Sequence, residues 1–177
     1  LGFGVFPGQY GLAVLSKHPI DVEAVRTFRT LLWRDVPDAS IPEGFYSQAA
    51  LDVLPLSSKT HADVPVQVGS GVVHLLVSHP TPPSFDGAED RNGRRNHDEI
   101  VFWADYVDAD ADSWQIDDAG LQGGLDGAVG VEVKTLPDHA LSGRRAACVP
   151  VALPVAAGIP DRQARRIAGA RGHRLGL

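Results

Sequence analysis

Three apolar runs with turn residues on both sides mark strands in the first half of the chain. Gly11-Leu12-Ala13-Val14-Leu15-Ser16 is short, nearly continuous and ends before His18-Pro19, which predicts a buried strand. Val64-Pro65-Val66-Gln67-Val68 predicts a second, with Pro65 demanding an edge or irregular position because it has no N–H to give a ladder. Val72-Val73-His74-Leu75-Leu76-Val77-Ser78 predicts a third, apolar enough to be covered on both faces. Gly69-Ser70-Gly71 between the last two is a hairpin turn, so the two strands should pair antiparallel.

The pattern then changes period. Ile100, Trp103, Ala104 and Val107 fall at i, i+3, i+4 and i+7 and predict one apolar helical stripe, with Trp103 and Phe102 in the core. Asn96 and Glu99 have the spacing of a capping box, which places the helix start at Asn96. Asp98 and Glu99 would then sit in the first turn, where the helix dipole favours negative charge, and His97 would face solvent. From Pro80 to Arg95 the pattern predicts a long loop, stiffened by Pro80, Pro82 and Pro83 and rich in guanidinium and carboxamide donors in its second half. These elements together make the first part mixed α/β.

Length and charge refine this picture. A chain of 177 residues suits one ordinary domain that buries roughly two-thirds of its unfolded surface. The charged fraction of 21% argues against a highly charged disordered chain. No apolar run approaches the ~18–20 residues that span a bilayer, and the N-terminus lacks the layout of a signal peptide. A soluble chain is therefore expected, with secretion or a periplasmic location left open. Cys148 is the single cysteine, so no internal disulfide or multi-cysteine metal site can form. A net charge of -6 disfavours non-specific nucleic-acid binding through bulk charge.

That charge is unevenly spread. Residues 1–128 carry 8 basic and 19 acidic side chains, whereas 129–177 carry 8 basic and 3 acidic. No aromatic residue follows Trp114. A boundary is expected near Gly127–Gly130, separating residues 1–127 from an Arg/Ala-rich tail of doubtful structure at 128–177. The absence of methionine and the opening at Leu1-Gly2-Phe3-Gly4 raise the expectation of an internal fragment.

Few residues stand out chemically. His79 directly follows the third apolar run, where an imidazole could hydrogen-bond or protonate a phosphoryl oxygen. From position alone it reads more readily as a structural histidine. His74 lies on the opposite strand face, so the two should not chelate one metal. Lys59, before His61 and Asp63, reads as a surface cation, and Arg94 and Arg95 fit a solvated loop and a ligand-handling loop equally well. Gly120, Gly123, Gly124 and Gly127 lack the strand–helix context of a phosphate loop, and Ser16 and Ser78 lack that of a nucleophile elbow.

Read together, Gly8 to Ile20, Leu56 to Val66, His74 to Pro80 and Arg91 to Ile100 resemble the endonuclease/exonuclease/phosphatase superfamily, most closely its bacterial branch with a Pro-rich loop after the histidine strand. The resemblance covers about residues 4–125, and its most specific part runs from His79-Pro80-Thr81-Pro82-Pro83 to Asn96-His97-Asp98-Glu99-Ile100. It implies part of a four-layer α/β sandwich, two mostly antiparallel sheets flanked by helices. It also implies a metal-dependent phosphoesterase using Mg²⁺ or Mn²⁺, acting on nucleic acid or a small phosphate ester. His79 matches the family's phosphate-polarising histidine, which reverses the order of its two readings. Lys59 falls where pancreatic-type deoxyribonucleases keep a basic phosphate contact, and Arg91, Asn92, Arg94 and Arg95 become a substrate-side loop. The family's Glu-bearing first strand, its Gly-Asp-x-Asn motif and its terminal Ser-Asp-His motif are not found. Gly130-Val131-Glu132-Val133-Lys134 stands where Gly-Asp-x-Asn is expected, and no metal ligand can be named. An out-of-frame origin of the tail would account for this, as would a non-catalytic binding module with a degenerate metal site.

Overall fold

The computed structural model describes residues 5–6, 9–108 and 114–125, together with the backbone of 131–136 and 147–152. Its centre is the hairpin of β2 (His61–Val68) and β3 (Gly71–Ser78), paired antiparallel from His61↔Ser78 to Val68↔Gly71. The two-residue turn needs a positive φ at its first position, and Gly69 supplies it at 60°. Beyond β2 lies the short β1 (Arg26–Thr27), and beyond β3 the backbones of β5 (Ala147–Ala152) and β4 (Val131–Leu136). The sheet runs β1-β2-β3-β5-β4, antiparallel throughout. The mixed α/β expectation holds at this level. Two strands of the sheet come from the Arg/Ala-rich segment, whose other residues lie outside the described ones.

Pro65 sits inside β2 without breaking it. Asp21 N–H donates to Pro65 O at 3.0 Å and Gln67 N–H to Pro19 O at 2.9 Å, so the 65 and 67 backbone groups point away from β3. The missing N–H therefore removes no bond of the β2–β3 ladder. The same contacts correct the expectation of a buried strand at 11–16. Residues 11–16 have no regular structure, and Leu15 is 90% exposed. The outer edge of β2 is occupied by Pro19–Asp21 and β1, which leaves the preceding apolar run unpaired.

Alternation along the hairpin gives it two faces. His61, Asp63, Leu76 and Ser78 face α2 (Arg91–Tyr106), while Ala62, Val64 and Val66 are buried on the other face. Cover thins toward the turn, where residues 67–71 are exposed, so β3 is only partly enclosed rather than covered on both faces.

α2 begins five residues earlier than a start at Asn96, turning the second half of the expected loop into helix. Its N-cap Asp90 is left-handed, at φ 53°, and makes no side-chain cap bond. Asp86 substitutes from the preceding loop, accepting from the Asn92 N–H at 2.7 Å. Asn96 is interior and donates its carboxamide to Thr81 O at 2.7 Å instead of capping. The buried face is Glu99, Phe102, Trp103 and Tyr106, and Ile100 is 43% exposed. The stripe is thus rotated from the expected one, because a carboxylate fills an inward position. His97 is exposed as expected, one turn further into the helix.

Phe28, Leu31, Trp33, Val36, Leu56, Leu76, Phe102, Trp103 and Tyr106 form the core. Phe28 packs edge-on against Phe102 at 4.9 Å between ring centres, an arrangement that aromatic quadrupoles favour. The segment joining β1 to β2 is largely irregular, with one short helix, α1 (Gln48–Leu51), capped by Ser47. Asp118 fastens residues 27–30 by accepting from the Thr27 and Thr30 hydroxyls, the Arg29 and Thr30 N–H groups and the Arg29 guanidinium. Among the described residues no helix is long and apolar enough to cross a membrane.

Candidate functional site at the mouth of the hairpin

Since His61 pairs with Ser78, the residues just before β2 and just after β3 emerge at the same end of the sheet. Lys59 and His79 therefore share one mouth. His79 is half-buried, its ring edge-on to Tyr10 at 6.4 Å. Lys59 is also half-buried and its ammonium donates to Ser58 Oγ at 3.2 Å. Burial lowers the Lys59 pKa, the Glu99 carboxylate works against that, and the Arg95 guanidinium adds to the lowering.

Glu99 stands behind the mouth and is fully buried. One carboxylate oxygen accepts from Ser58 N–H at 2.8 Å, and the other accepts from Thr81 N–H. The helix backbone at Glu99 also holds His61, whose Nε2 donates to Glu99 O at 2.9 Å. His61 is neutral at ordinary pH because burial lowers its pKa, more than Glu99 and its carbonyl raise it. Ser57 Oγ, His61 Nδ1 and Thr81 Oγ1, buried in the residues adjoining these bonds, have no hydrogen-bond partner.

The four residues of the expected substrate-side loop stand on the first turns of α2, and their donors are largely committed. Arg95 Nε donates to Leu56 O at 2.9 Å and Nη2 to Pro55 O, with the guanidinium 5.7 Å from the Trp33 ring centre. Burial lowers its pKa, yet an arginine remains charged. Arg91 pairs with Glu89, lies over Phe45 and reaches Phe85 O at 3.3 Å. Asn92 donates its carboxamide to Ser84 O at 2.7 Å. Arg94 is exposed and reaches Ser40 O at 3.5 Å. Helical rise places Arg95 roughly 6 Å and Arg91 roughly 12 Å along the axis from Glu99. Arg95 thus stands beside Lys59 and Glu99, while Arg91 and Asn92 belong to the far end of the Pro-rich loop.

A second polar cluster lies deeper, on the α2 face. Asp63 accepts from His74 Nδ1 at 2.8 Å and from the Tyr106 hydroxyl at 2.9 Å. Burial and Asp63 both raise the Tyr106 pKa, keeping the phenol a donor. Arg26 links Tyr106 to Asp117. His74 is oriented by this network and points to the face opposite His79.

Glu99 is the principal site residue that the capping-box reading misplaced. The signal was available: counting the helical period from Glu99 gives Phe102, Trp103 and Tyr106 at i+3, i+4 and i+7, an aromatic face that includes the carboxylate.

Among the described residues no three His, Cys, Asp or Glu side chains converge to hold a metal ion. Asp63, Asp98, Glu99 and Asp117 are already engaged by protein donors. They do not fit the Mg²⁺ or Mn²⁺ that the resemblance implies, and no step is assigned to it. At this end of the sheet the Lys59 ammonium stands near Arg95 and Glu99 of α2, and the His79 imidazole stands beside Tyr10. No family model, curated protein or solved structure matches the chain.

Proposed function

We propose that this chain is part of a phosphate-ester hydrolase of the endonuclease/exonuclease/phosphatase type, and that the hairpin mouth receives the phosphoryl group. The observation that carries the reading is the register that brings Lys59 and His79 to one end of the sheet. Ester hydrolysis builds negative charge on the non-bridging phosphate oxygens, which fixed cations and hydrogen-bond donors stabilise. Lys59 supplies the charge, and His79 supplies an imidazole able to donate to the same oxygens. Arg95 contributes a positive field, and Arg94 is exposed where the rest of the substrate would run, while Arg91 and Asn92 shape the loop beside it through their bonds to Glu89, Phe85 and Ser84. The four-layer sandwich belongs to the same proposal. The hairpin face bearing Ala62, Val64, Val66, Val73, Leu75 and Val77 has the apolar alternation that a second packed sheet requires. The divalent cation enters through the resemblance alone.

Titration of the 177-residue chain with inorganic phosphate, followed by isothermal calorimetry, tests the reading. Wild type should bind, and His79→Ala and Lys59→Ala should each weaken binding by about tenfold or more, the value of a charge-assisted hydrogen bond. Undiminished affinity in both folded variants overturns it.

A second reading, a binding module without catalysis, is favoured by the lack of a three-ligand cluster among the described residues. Titration with Mg²⁺ or Mn²⁺ separates the two. A catalytic member binds the ion and hydrolyses bis(4-nitrophenyl) phosphate with it, losing about 10²-fold in turnover on His79→Ala. A binding module takes up phosphate and does neither.

A further inference from the structure

We propose that Glu99 is the positioning residue of the hairpin mouth: by accepting from Ser58 on one carboxylate oxygen and from Thr81 on the other, it sets the separation between Lys59 and His79. The inference rests on the phosphate-site reading and deepens it.

Ser58 immediately precedes Lys59, and Thr81 follows His79 by two residues, so each bond acts close to a functional side chain. Both backbone groups of Thr81 are tied to α2, the N–H to Glu99 and the carbonyl to the Asn96 carboxamide one helical turn earlier. The backbone of Glu99 also holds the His61 ring, at the first residue of β2. One turn of one helix thus fixes three points around the mouth. A fully buried carboxylate is costly unless paired, and here two backbone N–H groups and the nearby Lys59 and Arg95 cations offset that cost. Its charge has a second consequence. Glu99 opposes the burial-driven lowering of the Lys59 pKa and so favours the ammonium form that an anion needs.

A structural carboxylate and a positioning one differ in what their removal changes. Glu99→Gln keeps length and loses charge, whereas Glu99→Asp keeps charge and is too short to reach both N–H groups. The full chain, with lysine labelled at ¹³Cε, has only Lys17, Lys59 and Lys134 to resolve, and Lys59→Arg assigns the resonance. In folded Glu99→Gln the Lys59 titration should move to lower pH, and affinity for inorganic phosphate at pH 7 should fall about tenfold or more. In Glu99→Asp the titration should stay near that of wild type while phosphate affinity falls. Wild-type affinity in folded Glu99→Gln overturns the positioning role and leaves the phosphate site standing. No phosphate binding by the wild-type chain overturns both. If Glu99→Gln does not fold, Asn96→Ala releases Thr81 without touching a charge. It should weaken phosphate binding with the Lys59 titration unmoved, and unchanged affinity there overturns the proposal.

Discussion

Asp98 shows how much of this core depends on single polar groups. It is 3% exposed and accepts from the Trp33 indole at 2.7 Å, from Ser40 N–H at 2.7 Å and from His97 Nδ1 at 2.9 Å. The indole is itself fully buried. Asp98→Ala therefore strands the buried Trp33 indole N–H and the half-buried Ser40 N–H at once and should cost about 2–4 kcal/mol. Denaturant unfolding should register this as a lower midpoint at constant slope, because the exposed surface hardly changes. Asp98→Asn retains an acceptor oxygen and should lose less. Equal stability of Asp98→Ala and wild type would mean that the Trp33 and Ser40 bonds contribute nothing. The same reasoning explains why Trp103, another buried indole, donates to Ser78 Oγ at 2.9 Å. A serine that sequence context rejects as a nucleophile is a structural acceptor.

At the scale of elements, what could be read in advance was what local pattern determines. The hairpin of β2 and β3 was legible because Gly69-Ser70-Gly71 and the flanking apolar runs specify turn and pairing together. The start of α2 was not, because its cap comes from Asp86 in the preceding loop and its first turn is Arg-Asn-Gly-Arg-Arg, a sequence equally suited to a loop. The strand expected at 11–16 failed for a non-local reason, since Pro19–Asp21 takes the edge it needed. For the mouth, the positions of Lys59 and His79 follow from strand ends, whereas Glu99 depends on two N–H groups distant in sequence. Two glycines make the distinction between local and non-local testable. A Cβ at Gly93 would meet only the Asp90 carboxylate, which can swing aside, so Gly93→Ala should gain up to about 1 kcal/mol from helix propensity. A Cβ at Gly124 would meet the Tyr106 backbone carbonyl, where Leu125 N–H docks at 2.7 Å. Gly124→Ala should cost about 1–3 kcal/mol by forcing the 114–125 segment off the end of α2. Thermal midpoints moving in opposite directions would bear this out, and a shift of the same sign in both would contradict it.

For the whole molecule, buried titratable groups tie folding to pH in two separate windows. Burial lowers the His61 pKa in the folded chain, against an unfolded value of about 6.5. Below that value the unfolded chain binds a proton that the native ring refuses, so stability should decline as pH falls from about 6.5. Asp118 acts lower on the scale. Burial works to raise its pKa, but hydrogen bonds from Thr27, Arg29 and Thr30 outweigh burial and bring it to about 2. Its contribution is complete above the unfolded value of about 3.9 and is lost as pH falls through about 2. Asp117, also lowered by bonds from Arg26, Leu121 and Ala119 against the effect of burial, acts in the same sense. The thermal midpoint should therefore drop in two steps on acidification. His61→Gln can still donate to Glu99 O and should flatten the upper step alone, whereas Asp118→Asn should flatten the lower. An upper step that survives in folded His61→Gln would mean that burial of this ring is not its cause.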